Sequence, residues 1–333
     1  MPGPDRLVGE LAGAVPGSVA GSGEPHRPTA VRRPRGAPPI LVRQVRGEIV
    51  ESEHRGDVVE VDAAGQVLHA VGDPDRLVTL RSAVKPFSAI AMIEEGVAAA
   101  YDLAPDELAV MTASHSGEDL HVRTIQGALR RAGVPQSALG CGSEGSPMDA
   151  LTAARLARDG ERPSAIRHMC SGQHAGFLLL CKLKGWPLEG YWLDGHPAMA
   201  TFRSVVARAF GTTPDRLVEA IDACGIPTFA FPLREIARAY ALLADPGAVA
   251  PADPRASLVP ALARVRDAMT AHPELVGGTR DRLDTSLMKA LPGRVVAKGG
   301  AEGLRGIGIL RQGGARAGRT GGRGGANAAG DPA

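Results

Sequence analysis

Hydrophobic positions recur every three or four residues through the middle of the chain. This spacing predicts helices over 83–100, 105–113, 119–132, 148–158, 172–184, 197–210, 214–223, 232–244 and 257–271. Pro105-Asp106-Glu107 and Pro214-Asp215 read as helix starts, with proline and acid in the first turn. Toward both ends the period changes to two. Ile40-Leu41-Val42 opens a strand after Pro38-Pro39. Val58-Val59-Glu60-Val61-Asp62 and Gln66-Val67-Leu68-His69-Ala70 alternate around Ala63-Ala64-Gly65, a hairpin pattern. Arg294-Val295-Val296-Ala297-Lys298 and Leu304-Arg305-Gly306-Ile307-Gly308-Ile309 return to strand character across a glycine-rich turn. Strands at both ends with helices between predict an α+β fold. The terminal strands are expected to share one antiparallel sheet against which the helices pack.

The periodic region spans 39–311 and reads as one catalytic domain. Residues 1–38 are rich in Gly, Pro, Ala and Arg and read as a disordered leader; residues 312–333 are Gly, Ala and Arg and read as a disordered tail. There is no internal repeat. A net charge of only +2 offers no basic surface for nucleic acid or an anionic membrane. No apolar run approaches the ~18 residues of a bilayer span. Met1-Pro2-Gly3-Pro4-Asp5 lacks the basic start and apolar stretch of a signal peptide, so a cytoplasmic location is expected. The four cysteines, Cys141, Cys170, Cys181 and Cys224, follow no short regular spacing. Buried thiols, or one reactive or metal-binding pair, fit better than a disulfide framework.

Basic residues number 38, yet only Lys85, Lys182, Lys184, Lys289 and Lys298 are lysines. Arginine keeps its proton in proteins, whereas lysine can lose it. A lysine kept in this background points to a need for an amine, although surface charge also suits Lys182, Lys184 and Lys289. Lys85 falls in Arg81-Ser82-Ala83-Val84-Lys85-Pro86. If a helix starts there, Ser82 and Lys85 share one side, and a neutral amine can take the hydroxyl proton. A serine N-cap with a solvent-facing lysine fits the same residues. Thr112-Ala113-Ser114-His115-Ser116-Gly117-Glu118 is a small polar loop, suited to presenting hydroxyls to a cleft or to capping the next helix with Ser116. Lys298-Gly299-Gly300 closes a strand, where an ammonium beside bare backbone can meet a substrate; an incidental lysine in a turn is the alternative. Cys170, Gln173 and His174 stand at i, i+3 and i+4. With Asp222-Ala223-Cys224-Gly225 they form either a metal or substrate site or a pair of buried thiols with a hydrogen-bonded histidine.

Taken in order, these segments resemble the bacterial L-asparaginase II family, typified by the inducible Rhizobium enzyme. The resemblance covers roughly residues 40 to 310. It rests on Glu53-His54-Arg55-Gly56, Arg81-Ser82-Ala83-Val84-Lys85-Pro86, Ala113-Ser114-His115-Ser116-Gly117-Glu118, Cys170-Ser171-Gly172-Gln173-His174-Ala175-Gly176, Asp222-Ala223-Cys224-Gly225-Ile226-Pro227, Gly277-Gly278-Thr279 and Lys298-Gly299-Gly300-Ala301-Glu302-Gly303. It implies a serine β-lactamase-like fold, a homodimer, and hydrolysis of L-asparagine to aspartate and ammonia. Catalysis is implied at Ser82, Lys85, Ser114 and Lys298, and substrate binding at Arg81, His174, Asp222 and Gly299. No cofactor is required for the chemistry. The family also binds zinc through two cysteines, here Cys170 and Cys224, and a lysine, whose position is taken by Gln173. The chain further departs from the family after the last strand, where more strand and a closing helix give way to the Gly/Arg-rich stretch.

On this reading Ser82 attacks the amide carbon and Lys85 accepts its proton, with a Lys298 ammonium lowering the Lys85 pKa and Ser114 relaying a proton to the leaving ammonia. A β-lactam or peptide hydrolase on the same scaffold, and an inactive substrate-binding homologue, are the competing readings.

Overall fold

A computed structural model describes residues 36–142, 148–162 and 164–310. Most of the expected leader and all of the expected tail lie outside the described residues. The chain begins with two hairpins, β1 (Ile40–Arg46) with β2 (Ile49–Arg55), and β3 (Val58–Val61) with β4 (Val67–Val71). A short strand, β5 (Leu77–Thr79), leads into a 3₁₀ turn over Arg81–Val84. Helices α1 (Lys85–Glu94), α2 (Val97–Ala100), α3 (Pro105–Met111), α4 (Asp119–Arg131), α5 (Ala150–Arg158), α6 (Ser171–Lys184) and α7 (Pro197–Ala209) follow. Then come β6 (Val218–Ile221), β7 (Pro227–Pro232), α8 (Leu233–Ala244), α9 (Val259–Ala271), α10 (Pro273–Val276), α11 (Leu283–Ala290), β8 (Val295–Gly299) and β9 (Arg305–Ile309).

The core is helical. Lys85 to Met92 on α1 and Ser171 to Cys181 on α6 are buried without a break. A helix that is apolar all round needs neighbours on every side, and α1 packs on α3, α6, α7 and α9. The α3–α6 crossing is close because Gly172 has no side chain; a Cβ there would run into the Val110 carbonyl. Helices α4, α5 and α8 are amphipathic and bury one face each.

The sheet departs from expectation. The fold is α+β, but among the described residues the strands form four small antiparallel sheets: β1–β2, β3–β4, β5–β7–β6 and β8–β9. No ladder joins the amino-terminal strands to β8 or β9. A groove of about 200 Å³, lined by Val59 and Val61 of β3, Ala237 and Ala241 of α8, and Ile307 and Ile309 of β9, separates them. The stretch 214–223 is likewise not a helix. Pro214–Arg216 makes one 3₁₀ turn, and Val218–Ile221 then pairs with β7. An apolar run this short fits either period, and pairing decided it.

Two features tie the carboxy-terminal hairpin to the start of α1. Gly306 and Gly308 let β9 lie against Tyr240 of α8, where any Cβ would collide. The buried Tyr240 hydroxyl donates to the Ala83 carbonyl at 2.8 Å and approaches the Lys298 carbonyl at 3.4 Å. The turn bearing Ser82 and the strand bearing Lys298 are thus held by one side chain.

Candidate active site

A cavity of about 350 Å³ opens between the α1 start, the loop after α3, the α6 start, the β6–β7 turn, the α11 start and the β8–β9 turn. Arg81, Ser82, Ser114, Cys170, Asp222, Cys224 and Gly299 line it, so most of the residues singled out in the sequence converge there.

Ser114 is the centre of the polar network. Its backbone N–H donates to the Val276 carbonyl at 3.1 Å, and its carbonyl accepts from Arg282 Nη2 at 2.7 Å, so the main chain is fixed on both sides. Its Oγ lies 3.0 Å from Lys298 Nζ and 3.3 Å from Lys85 Nζ. Lys85 Nζ also reaches the Ala113 carbonyl at 2.8 Å and Cys170 Sγ at 3.1 Å. Three partners match the three donors of an ammonium. The expected Ser82–Lys85 hydrogen bond is not formed; the Ser82 hydroxyl lines the cavity with no hydrogen bond to either lysine among the described residues.

Lys298 is fully buried, and burial pushes its pKa down to about 7. Asp284 opposes that shift, while the positive charges of Lys85 and Arg282 reinforce it. Lys298 is thus a depressed amine beside the Ser114 hydroxyl. Asp284 accepts from the Gly299 N–H at 2.9 Å and from Arg305 Nη1, and stands 3.9 Å from Lys298 Nζ. The Gly299 N–H is thereby committed; what that residue offers the cavity is bare backbone, and a Cβ would meet Arg305 Nη1 at 2.6 Å.

Arg81 has φ 47°, an unusual backbone for a side chain other than glycine. Its Nε donates to Asp222 Oδ1 at 2.7 Å. The same oxygen accepts from the Ala223 N–H at 2.7 Å, which shapes the turn that presents Cys224.

His174 does not reach the cavity. It sits on α6, whose entire first half is buried, so the i+4 spacing from Cys170 carries it inward. Its Nδ1 pairs with the Tyr191 hydroxyl at 2.5 Å, and burial lowers its pKa to about 3, leaving a neutral ring. Gln173 points its amide at Ser88 Oγ, 3.3 Å away.

Cys170 and Cys224 are hydrogen-bonded to each other. That bond, with the Lys85 ammonium beside it, holds the Cys170 pKa well below the usual thiol range, while the same neighbour and burial push Cys224 up. As a zinc site the pair is incomplete. Among the described residues no group of three His, Cys, Asp or Glu side chains could hold a metal, and glutamine is a poor third donor.

The loop after α3 is braced against the segment before α11. Helix α4 starts at Asp119 with Glu118 at its N-cap, not Ser116. Glu118 accepts from Ser116 Oγ at 2.6 Å and from the Thr279 N–H at 2.8 Å and hydroxyl at 2.6 Å. Gly278, at φ 141°, admits this contact, since a Cβ there would strike Ser116. Residues 42–322 match the family described as L-asparaginase II.

The chain belongs to the L-asparaginase II family.

The match extends into the Gly/Arg-rich stretch beyond Leu310, as far as residue 322. No curated protein matches the chain. The braced segment also carries Arg282 and Asp284 to the cavity, and neither was singled out in the sequence. Their only signal was their place just after Gly277-Gly278-Thr279. No helix among the described residues is long and apolar enough to cross a membrane.

Proposed function

We propose that this chain hydrolyses the side-chain amide of L-asparagine to L-aspartate and ammonia by serine–lysine catalysis, on a serine β-lactamase-like fold. The observation that carries the proposal is the Ser114 hydroxyl, held between two buried lysine amines at the wall of a cavity. A Lys298 amine with a pKa near neutrality can take the Ser114 proton as Oγ attacks the amide carbon. The proton then passes to the leaving nitrogen, the C–N bond breaks and ammonia departs. Water attacks the resulting ester, with Lys298 again accepting a proton, and aspartate is released.

A second reading keeps Ser82 as the nucleophile, with Ser114 relaying its proton to Lys298. It is favoured by the position of Ser82 in the cavity and by the strained backbone just before it. Ammonia release from L-asparagine tests the activity. The site at which an acyl group is trapped in rapidly quenched protein, Ser114 or Ser82, separates the two readings. A chromogenic β-lactam should not be turned over, and a folded protein releasing no ammonia would leave the binding homologue.

A homodimer and a cytoplasmic location belong to the same proposal. The β1–β2 hairpin exposes Leu41, Val42, Val45, Ile49 and Val50. An isolated two-stranded hairpin is marginal in water, and a second copy would cover it. Light scattering on the purified protein would read the mass directly.

A further inference from the structure

Three guanidinium groups line the cavity. Arg81 is bonded to Asp222 and Arg305 to Asp284. Arg282 has no carboxylate partner among the described residues. Its Nη2 donates to the Ser114 carbonyl, and its Nη1 reaches Met148 Sδ at 3.3 Å. Burial pulls its pKa down, the direction expected of a cation whose surroundings do not balance its charge. A guanidinium carries five donors, so Arg282 keeps N–H groups for a ligand.

Its anchorage is already complete. Thr279 and Arg280, in the same segment, are held by Glu118, and Arg280 is also held by Asp149 at 2.8 Å. The cation is set in the cavity before any ligand arrives, which lowers the entropy lost on binding. It is also fixed to the residue whose hydroxyl the lysines share. In L-asparagine the α-carboxylate carbon is three C–C bonds of about 1.5 Å from the amide carbon. A substrate with its amide at Ser114 Oγ can therefore place its carboxylate at a cation bonded to the Ser114 carbonyl.

We propose that Arg282 reads the α-carboxylate of the substrate and restricts the site to ω-amides of free α-amino acids. A planar fork suits a carboxylate better than a lysine ammonium would. This specificity rests on the amidase reading above, and its test keeps the two apart.

Ammonia release is measured with L-asparagine and with 3-aminopropanamide, the same amide without the carboxylate. Wild type should favour L-asparagine strongly. In Arg282→Met, kcat/KM for L-asparagine should fall about 100-fold further than kcat/KM for 3-aminopropanamide, which loses only what the Arg282 bond to the Ser114 carbonyl contributes. The discrimination then collapses, which a general loss of structure would not produce. Arg282→Lys, which keeps the charge and loses the fork, should lie between and decides the matter if Arg282→Met fails to fold. Succinate binding by calorimetry gives an arm independent of turnover and should be lost in Arg282→Met. An active wild type whose Arg282 variants keep full discrimination overturns the inference and leaves the amidase reading standing. A wild type without turnover refutes the amidase reading, and succinate binding then decides Arg282 alone.

Discussion

Lys298 Nζ and Ser114 Oγ lie 3.0 Å apart, with the lysine buried and its charge disfavoured. The pair joins the end of β8 to the loop after α3, and everything expected of the chemistry depends on the protonation of this one amine.

The rate of ammonia release should therefore rise with pH through about 7, where Lys298 loses its proton. Asp284 holds that pKa up. Asp284→Asn should move the acid limb of the pH–rate profile to lower pH, and an unmoved limb would mean another group is titrating. Stability has its own sign. The folded pKa lies below the ordinary lysine value, so above about 7 the unfolded chain holds more protons than the folded one. The Lys298 contribution is thus unfavourable below pH 7 and relieved as pH rises toward the unfolded lysine range. Urea midpoints for Lys298→Met and wild type should differ most in favour of the variant at low pH and converge in alkali.

Tyr240 spans the two halves of the site. Tyr240→Phe removes its bonds to the Ala83 and Lys298 carbonyls and should cost about 1–2 kcal/mol of stability. It should also lower kcat without changing the pH of the acid limb. An unchanged melting curve would show that the hydroxyl fixes nothing.

The α3–α6 crossing tolerates no side chain at position 172. Gly172→Ala drives a methyl into the Val110 carbonyl. The backbone of a buried helix yields poorly, and a loss of about 3 kcal/mol is expected, read as a lower urea midpoint. A tolerated alanine would mean that the two helices can separate.

Metal should not matter to the wild type. Cys170 and Cys224 supply two sulfurs, and Gln173 is turned to Ser88. Exhaustive chelation should leave the rate of ammonia release unchanged. Gln173→Lys restores the third donor that the family implies, and calorimetry should then show zinc binding tighter than in wild type. Equal zinc affinity in the two proteins would count against this donor assignment.

Much of this arrangement was legible in the sequence. A helix starting near Ser82 was expected to put Ser82 and Lys85 together, and α1 does begin at Lys85, while the scarcity of lysine pointed to Lys85 and Lys298. Arg282 left no such mark, because in a chain that uses arginine for most of its positive charge another arginine is unremarked. The i, i+3, i+4 spacing of Cys170, Gln173 and His174 fixed one helix. It did not say which face met the cavity, since α6 is buried all round. Alternation found the β3–β4 hairpin and the β8 and β9 strands, but not that the two ends stay in separate sheets, because a period of two identifies a strand and not every edge it pairs with. β7 escaped notice because it is almost wholly buried and bounded by prolines, which leaves no alternation to read.

The left-handed backbone at Arg81 ties local geometry to folding order. That conformation costs about 1–2 kcal/mol for a residue with a Cβ, and the Asp222 carboxylate that offsets it comes from a turn 141 residues further along the chain. A nascent or partly opened chain lacks that counterweight, and the segment ahead of Ser82 relaxes. Competence at this serine is therefore cooperative: it is acquired when the β6–β7 turn docks, and half-assembled molecules should be silent rather than weakly active.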